Sequence, residues 1–187
     1  MSPWPALAAL LGALALLAWP LPTTPLDWQP ALAAHEPWRL LSAAAVHWSL
    51  QHLLANLAGC AVLAWVGLAA RLHRRAALAW LLAWPLTQAG LLLRPDLLHY
   101  GGLSGVLHAG TAVLAVELLG RRGQERAIGA AIAAGLLLKL ALEQPWGPAL
   151  QTTAGWDIAI APAAHLSGAL AGAMCALTLR LLARPRA

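Results

Sequence analysis

The chain has 187 residues, 60% of them hydrophobic and only 10% charged, with a mean hydropathy of +0.68. A soluble domain carries roughly 25% charged residues because its surface must face water. The shortfall excludes an ordinary soluble enzyme, a disordered chain and a nucleic-acid binder. The net charge of +5 and the pI near 10.6 are therefore read as loop charge on a membrane protein.

A membrane-spanning helix takes about 20 apolar residues. In chain order, six apolar segments stand out, at about 4–21, 50–70, 76–93, 102–119, 127–142 and 158–182. The expected fold class is all-α: one domain over residues 1–187, a polytopic bundle of six transmembrane helices. The first segment has no basic residues ahead of it, and the nearest A-x-A pattern, Ala31-Leu32-Ala33, lies beyond Pro20, Pro22 and Pro25. It reads as a retained span rather than a cleaved signal. The longest stretch between spans, 22–49, holds Trp28, His35, Trp38, Leu40 and Leu41. That is too apolar for a solvated linker, and it is expected on or in the outer leaflet. Pro85 interrupts the third span and would kink it. Cys60 and Cys175 lie in apolar runs without a CxxC partner and read as small buried hydrophobes.

Charge sets the orientation. Arg71, Arg74 and Arg75 follow the second span, Arg121, Arg122 and Arg126 the fourth, and Arg180, Arg184 and Arg186 close the sixth. These nine of the twelve Lys and Arg fall on one side, which the positive-inside rule makes cytoplasmic, with both termini inside. Asp27, Glu36, Asp96, Glu143 and Asp157 gather on the outer side, with Arg39, Arg94 and Lys139.

Polar groups inside spans are expensive and become site hypotheses. They are His52, Asn56, Ser104, His108, Glu117 and His165, with His47 at a span entrance. Glu117 faces the cytoplasmic end and reads as interfacial. His52 and Asn56, four apart, project from one helical face. Ser104 lies in Gly101-Gly102-Leu103-Ser104-Gly105, where glycines permit a tight turn and leave amide N–H groups unobstructed. His165 precedes Gly168 and Gly172, a small-residue stripe that lets two membrane helices approach closely. Taken singly, each has a packing explanation. Ser104, His165 and the His52–Asn56 pair converge on the outer side, with His165 roughly 10 Å deep.

These residues resemble the rhomboid family of intramembrane serine proteases over nearly the whole chain. Trp38-Arg39 is similar to the family's WR pair. His47-x4-His52-x3-Asn56 is similar to its second-span motif, Gly102-Leu103-Ser104-Gly105 to its GxSG, and Ala164-His165-x2-Gly168-x3-Gly172 to its AHxxGxxxG. The serine segment from His99 to His108 is most similar to the rhombosortase branch, bacterial proteins that process C-terminal Gly-Gly-type sorting tails. Two positions depart from the family. His108 stands where a tyrosine commonly stacks on the catalytic histidine, and Ala161 stands where a glycine is frequent.

The resemblance implies a multi-pass protein of the bacterial inner membrane. Its partners would be membrane-anchored protein substrates and the lipid bilayer; no nucleic acid, cofactor or metal is expected. Ser104 would be the nucleophile and His165 the base and acid, with the Ser104 N–H, His52 and Asn56 as oxyanion donors. Gly102, Gly105, His108, Gly168 and Gly172 would support the site. No third acid is evident, since Asp157 lies eight residues before His165, about 12 Å along a helix. A Ser–His dyad is therefore expected, with His165 oriented by packing and by His108. Two other classes compete. An inactive rhomboid-like protein that binds or escorts membrane segments would be expected to lack the nucleophile or base. A channel or transporter would spread its polar groups through the membrane depth.

Overall fold

A computed structural model describes residues 2–183. Arg184 and Arg186, counted above on the cytoplasmic side, lie outside them. Seven α-helices follow in order: α1 (Trp4–Ala18), the short α2 (Arg39–Ser42), α3 (Leu50–Ala69), α4 (Arg74–Ala89), α5 (Ser104–Leu119), α6 (Gly123–Glu143) and α7 (Pro162–Leu182). A 3-10 turn, Gly90–Leu93, extends α4. Among the described residues there is no strand, only isolated bridges of Trp28 with Tyr100 and Gln151 with Ile160.

All six expected apolar segments form helices. Three of these are long and apolar enough to cross a membrane: Leu50–Ala69, Arg74–Leu93 and Pro162–Leu182. Helices α1 and α5 are apolar but only 15 and 16 residues long, about 22–24 Å at 1.5 Å per residue. Helix α6 has 21 residues but carries Glu125, Arg126, Lys139 and Glu143. The ends shift for local reasons. Helix α1 stops at Ala18, just before Pro20, rather than at 21. Helix α7 starts at Pro162, a residue suited to the first turn, rather than at 158, because Ile160 pairs with Gln151 as extended chain. Helix α4 continues through Pro85.

Tryptophans and small residues hold the bundle together. Fully buried Trp4 donates from Nε1 to the Leu63 carbonyl at 2.7 Å and packs on Trp80 at 4.5 Å between ring centroids. Trp80 in turn donates to the Val106 carbonyl at 2.8 Å. Each indole thus buries its apolar body while its one polar atom is satisfied. Helix α5 sits centrally and packs most extensively on α7. A Cβ at Gly168 would overlap the Gly105 carbonyl oxygen, and one at Gly172 would overlap that of Ala109. The stripe read from the sequence is the seam between the helices carrying Ser104 and His165. Cys60 and Cys175 are free and buried.

The 22–49 stretch is ordered from within. Arg39, only 3% exposed, donates to the Asp27 carboxylate at 3.1 Å and the Thr24 carbonyl at 2.9 Å, and pairs with Glu36 at 2.6 Å. Ser42 Oγ donates to the Leu26 carbonyl at 2.7 Å. Its tryptophans divide: Trp28 is buried, Trp38 and Trp48 exposed.

Candidate active site

The serine segment is pinned before it becomes a helix. Tyr100 exchanges both backbone hydrogen bonds with Trp28, at 2.7 and 3.0 Å, and the Gly102 N–H donates to the Ala43 carbonyl at 2.9 Å. Gly102 has φ +130°, and a Cβ there would sit 2.6 Å from His52 Nε2. Both conformation and space therefore demand glycine. Ser104 is the first residue of α5, so its N–H has no carbonyl one turn earlier to bond. Gly105 is equally confined, between Thr87 and the Ala164 carbonyl.

His165 reaches across the α5–α7 seam. Its Nε2 lies 3.0 Å from Ser104 Oγ and its Nδ1 lies 2.7 Å from Glu143 Oε2. A carboxylate only accepts, so Nδ1 carries the proton and Nε2 offers its lone pair to the serine hydroxyl. The sequence reading found no acid for this histidine, but the structure puts Glu143 there. The acid it weighed, Asp157, instead accepts from Ser49 Oγ at 2.7 Å. Spacing gave no warning, because Glu143 is 22 residues before His165 and four after Lys139, a pattern typical of a solvated helix face. The available signal was its position, an acid at the end of an apolar helix, on the side of Ser104.

His108 lies flat on His165, with ring centroids 4.2 Å apart and planes 9° from parallel. An imidazole thus fills the stacking place expected for it, while its Nδ1 donates to the Ser104 carbonyl at 2.7 Å.

His52 and Asn56 share a face of α3, and both are buried. The Asn56 amide donates to His47 Nε2 at 3.1 Å, and His47 Nδ1 donates to the Ala45 carbonyl at 3.0 Å. This places the lone pair of His47 on Nε2 and leaves the second Asn56 N–H available. Burial holds the His47 imidazole below the ordinary histidine range, against the opposing pull of the Ala45 carbonyl. From sequence His47 sits only at a span entrance; its support of Asn56 is visible in the structure alone.

Ser104, His165, His52, Asn56, His108 and Glu143 all line one cavity of about 270 Å³. His108, Glu143 and His165 also bring potential metal-ligand atoms within 4.8 Å of one another. Both ring nitrogens of His165 are already engaged, so an ion there would displace the serine or the glutamate.

A buried histidine in contact with a serine at a helix start, beside free amide donors, is the arrangement of a serine hydrolase. Residues 34–182 match the rhomboid domain, which includes the motif segments from Trp38 to Gly172. The chain belongs to the rhomboid family of intramembrane serine proteases and is a membrane protein. No curated protein matches it.

Proposed function

We propose that this chain is an intramembrane serine endopeptidase with Ser104 as nucleophile and His165 as its base. The observation carrying this reading is the 3.0 Å contact between His165 Nε2 and Ser104 Oγ at the wall of a cavity shared with His52 and Asn56. As Ser104 Oγ attacks the scissile carbonyl, its proton passes to His165 Nε2. The Ser104 N–H, at the positive end of α5, and the side chains of Asn56 and His52 receive the developing oxyanion. The protonated His165 then gives its proton to the leaving amine, and water repeats the sequence on the acyl-enzyme.

The protein crosses the bacterial inner membrane six times with both termini cytoplasmic, and cuts near the outer face. The basic residues at the end opposite Ser104 support that orientation. Its substrate is another protein's membrane segment, unwound near the cut because helical amides are internally bonded. The resemblance of the His99–His108 segment to rhombosortases favours substrates with a C-terminal Gly-Gly-type tail.

The test is cleavage in proteoliposomes of a membrane-anchored reporter with a Gly-Gly tail, beside one with a Leu-Leu tail. The native protein should cut the first preferentially. Ser104→Ala and His165→Ala should each fall to background, a loss of about 10⁶-fold in a soluble serine protease, at unchanged membrane levels. Normal turnover by Ser104→Ala would refute the assignment. Equal cutting of both tails would refute the tail preference alone.

A further inference from the structure

The chemistry above assigns no part to Glu143, yet this residue makes the shortest contact of the His165 ring, 2.7 Å from Oε2 to Nδ1. We propose that Glu143 is the positioning residue for His165, so that the site works as a Ser104–His165–Glu143 triad. The proposal rests on the serine-protease reading.

Three observations separate this from an ordinary helix-end salt bridge. The first is burial: the Glu143 side chain is 14% exposed, while Lys139, its partner one turn earlier, is 49% exposed. The carboxylate is turned toward the site and the ammonium toward its edge. The second is division of labour. Lys139 Nζ bonds Oε1 and His165 bonds Oε2, so each oxygen has its own partner and the carboxylate is held against rotation. The third is packing: α6 lies mainly on α5 and touches α7 little. Close packing of α6 on α7 therefore does not explain the Glu143–His165 contact. Helix α6 ends at this residue, with Gln144 following in the left-handed conformation (φ 47°, ψ 66°), and the chain leaves the site immediately.

An acid at Nδ1 acts through the histidine in two ways. In the resting site it selects the tautomer whose Nε2 lone pair faces the serine. When Ser104 Oγ bonds the carbonyl carbon and its proton moves to Nε2, the ring becomes an imidazolium. The ionised carboxylate then stabilises that charge without taking the proton. The same proton leaves with the amine when the C–N bond breaks. Attacking water returns one proton to Nε2, and Ser104 Oγ recovers it as the acyl bond breaks. Glu143 stays ionised throughout.

Glu143→Gln preserves shape but can present an amide N–H to Nδ1 and so favour the wrong tautomer. In the same proteoliposome assay its kcat should fall roughly 10⁴-fold, the loss caused by the equivalent exchange in a known triad. Its KM should change less than about threefold, because Glu143 acts through His165 rather than on the ground-state substrate. Glu143→Asp, which keeps the charge, should recover part of kcat. A second measurement needs no turnover. The low-field Nδ1–H proton resonance of His165 should appear in the native protein and in Ser104→Ala, and vanish in Glu143→Gln and His165→Ala. If Glu143→Gln turns over normally while Ser104→Ala and His165→Ala are inactive, the triad is overturned and the serine reading stands. If Ser104→Ala itself cleaves normally, the serine reading has failed. If Glu143→Gln fails to fold, the resonance in Ser104→Ala decides, and its absence there overturns the proposal.

Discussion

The two ends of the bundle handle polarity in opposite ways. At one end a cavity of about 270 Å³ is lined by buried His52, Asn56 and His165, and each polar group beside it leans on another. At the other end a cavity of about 1080 Å³ is lined by Arg71, Arg74, Arg75, Arg121 and Arg180, with Glu117. Two of those charges are held by local partners: Arg121 by Glu125 four residues on, and Arg180 by the Val116 carbonyl at 2.6 Å. The larger cavity gathers cations without a serine–histidine hydrogen bond, whereas the smaller one holds the His165–Ser104 contact in restricted space. Burial makes the difference, since a hydrogen bond between buried groups fixes orientation more firmly than one exposed to water.

The sharpest way to break the small cavity without touching a polar atom is to separate its two walls. Gly168→Leu would drive a side chain into the Gly105 backbone and push α7, with His165, away from Ser104. Overpacking of a tight seam costs about 1–3 kcal/mol. Thermal unfolding in detergent should fall accordingly, and cleavage should drop to background even in the folded fraction. Full activity in the folded fraction would show that the α5–α7 spacing does not set the catalytic distance.

Asn56→Ala tests the opposite wall. The Ser104 N–H and His52 remain, so the expected loss is that of one oxyanion donor, about 3 kcal/mol or roughly 100-fold in kcat. KM should change little. An unchanged kcat would reduce Asn56 to a partner for His47.

These two tests also show what could be read from residues alone. His52, Asn56, Ser104 and His165 were conspicuous because a bilayer makes polar groups costly. Gly168 and Gly172 were conspicuous because their spacing matches one helix face. Glu143 was not, since its pairing with Lys139 resembles a solvated surface and its approach to His165 depends on how residues 144–161 return the chain. His47 was noticed without its task, because a hydrogen bond from Asn56, nine residues on, depends on the 3-10 turn at Ala43–Ala45. Helix ends were blurred for another reason. Apolar composition continues through Ile158–Ala161, whereas the helix waits for Pro162.

His47 makes the small cavity sensitive to acid. Burial lowers its folded-state pKa below the ordinary histidine value. Above that ordinary value both folded and unfolded chains hold it neutral, and its contribution to stability is fully present. As pH falls below it, the unfolded chain takes up a proton that the folded chain refuses. Stability is then lost progressively until the folded pKa is passed, with a slope of at most about 1.4 kcal/mol per pH unit. A proton on Nε2 would also abolish the acceptor for Asn56 and face the His52 ring, 4.6 Å away. His47→Gln, whose amide oxygen can still accept from Asn56, should lessen the acid-side decline in thermal stability. An identical decline in the variant would assign the acid sensitivity elsewhere.

The smallest effect is expected at the arginine end. Arg74 opens α4 at the rim of the large cavity, far from the serine in the fold, and it is exposed. Arg74→Gln removes one charge from a solvated cluster, where single surface charges contribute about 0–1 kcal/mol. Its kcat in proteoliposomes should stay within about twofold of native, because no positioning bond of Ser104 or His165 passes through it. Its charge should matter instead for insertion, as one of the cations that the proposed orientation places on the cytoplasmic side. A cysteine replacing Asp96, near the Ser104 end, should be labelled by an impermeant reagent from outside in both the native background and Arg74→Gln. Replacing Arg71, Arg74 and Arg75 together should produce a fraction labelled from inside. A large drop in kcat for Arg74→Gln in correctly oriented protein would mean that the two ends are coupled, and that the large cavity takes part in the reaction after all.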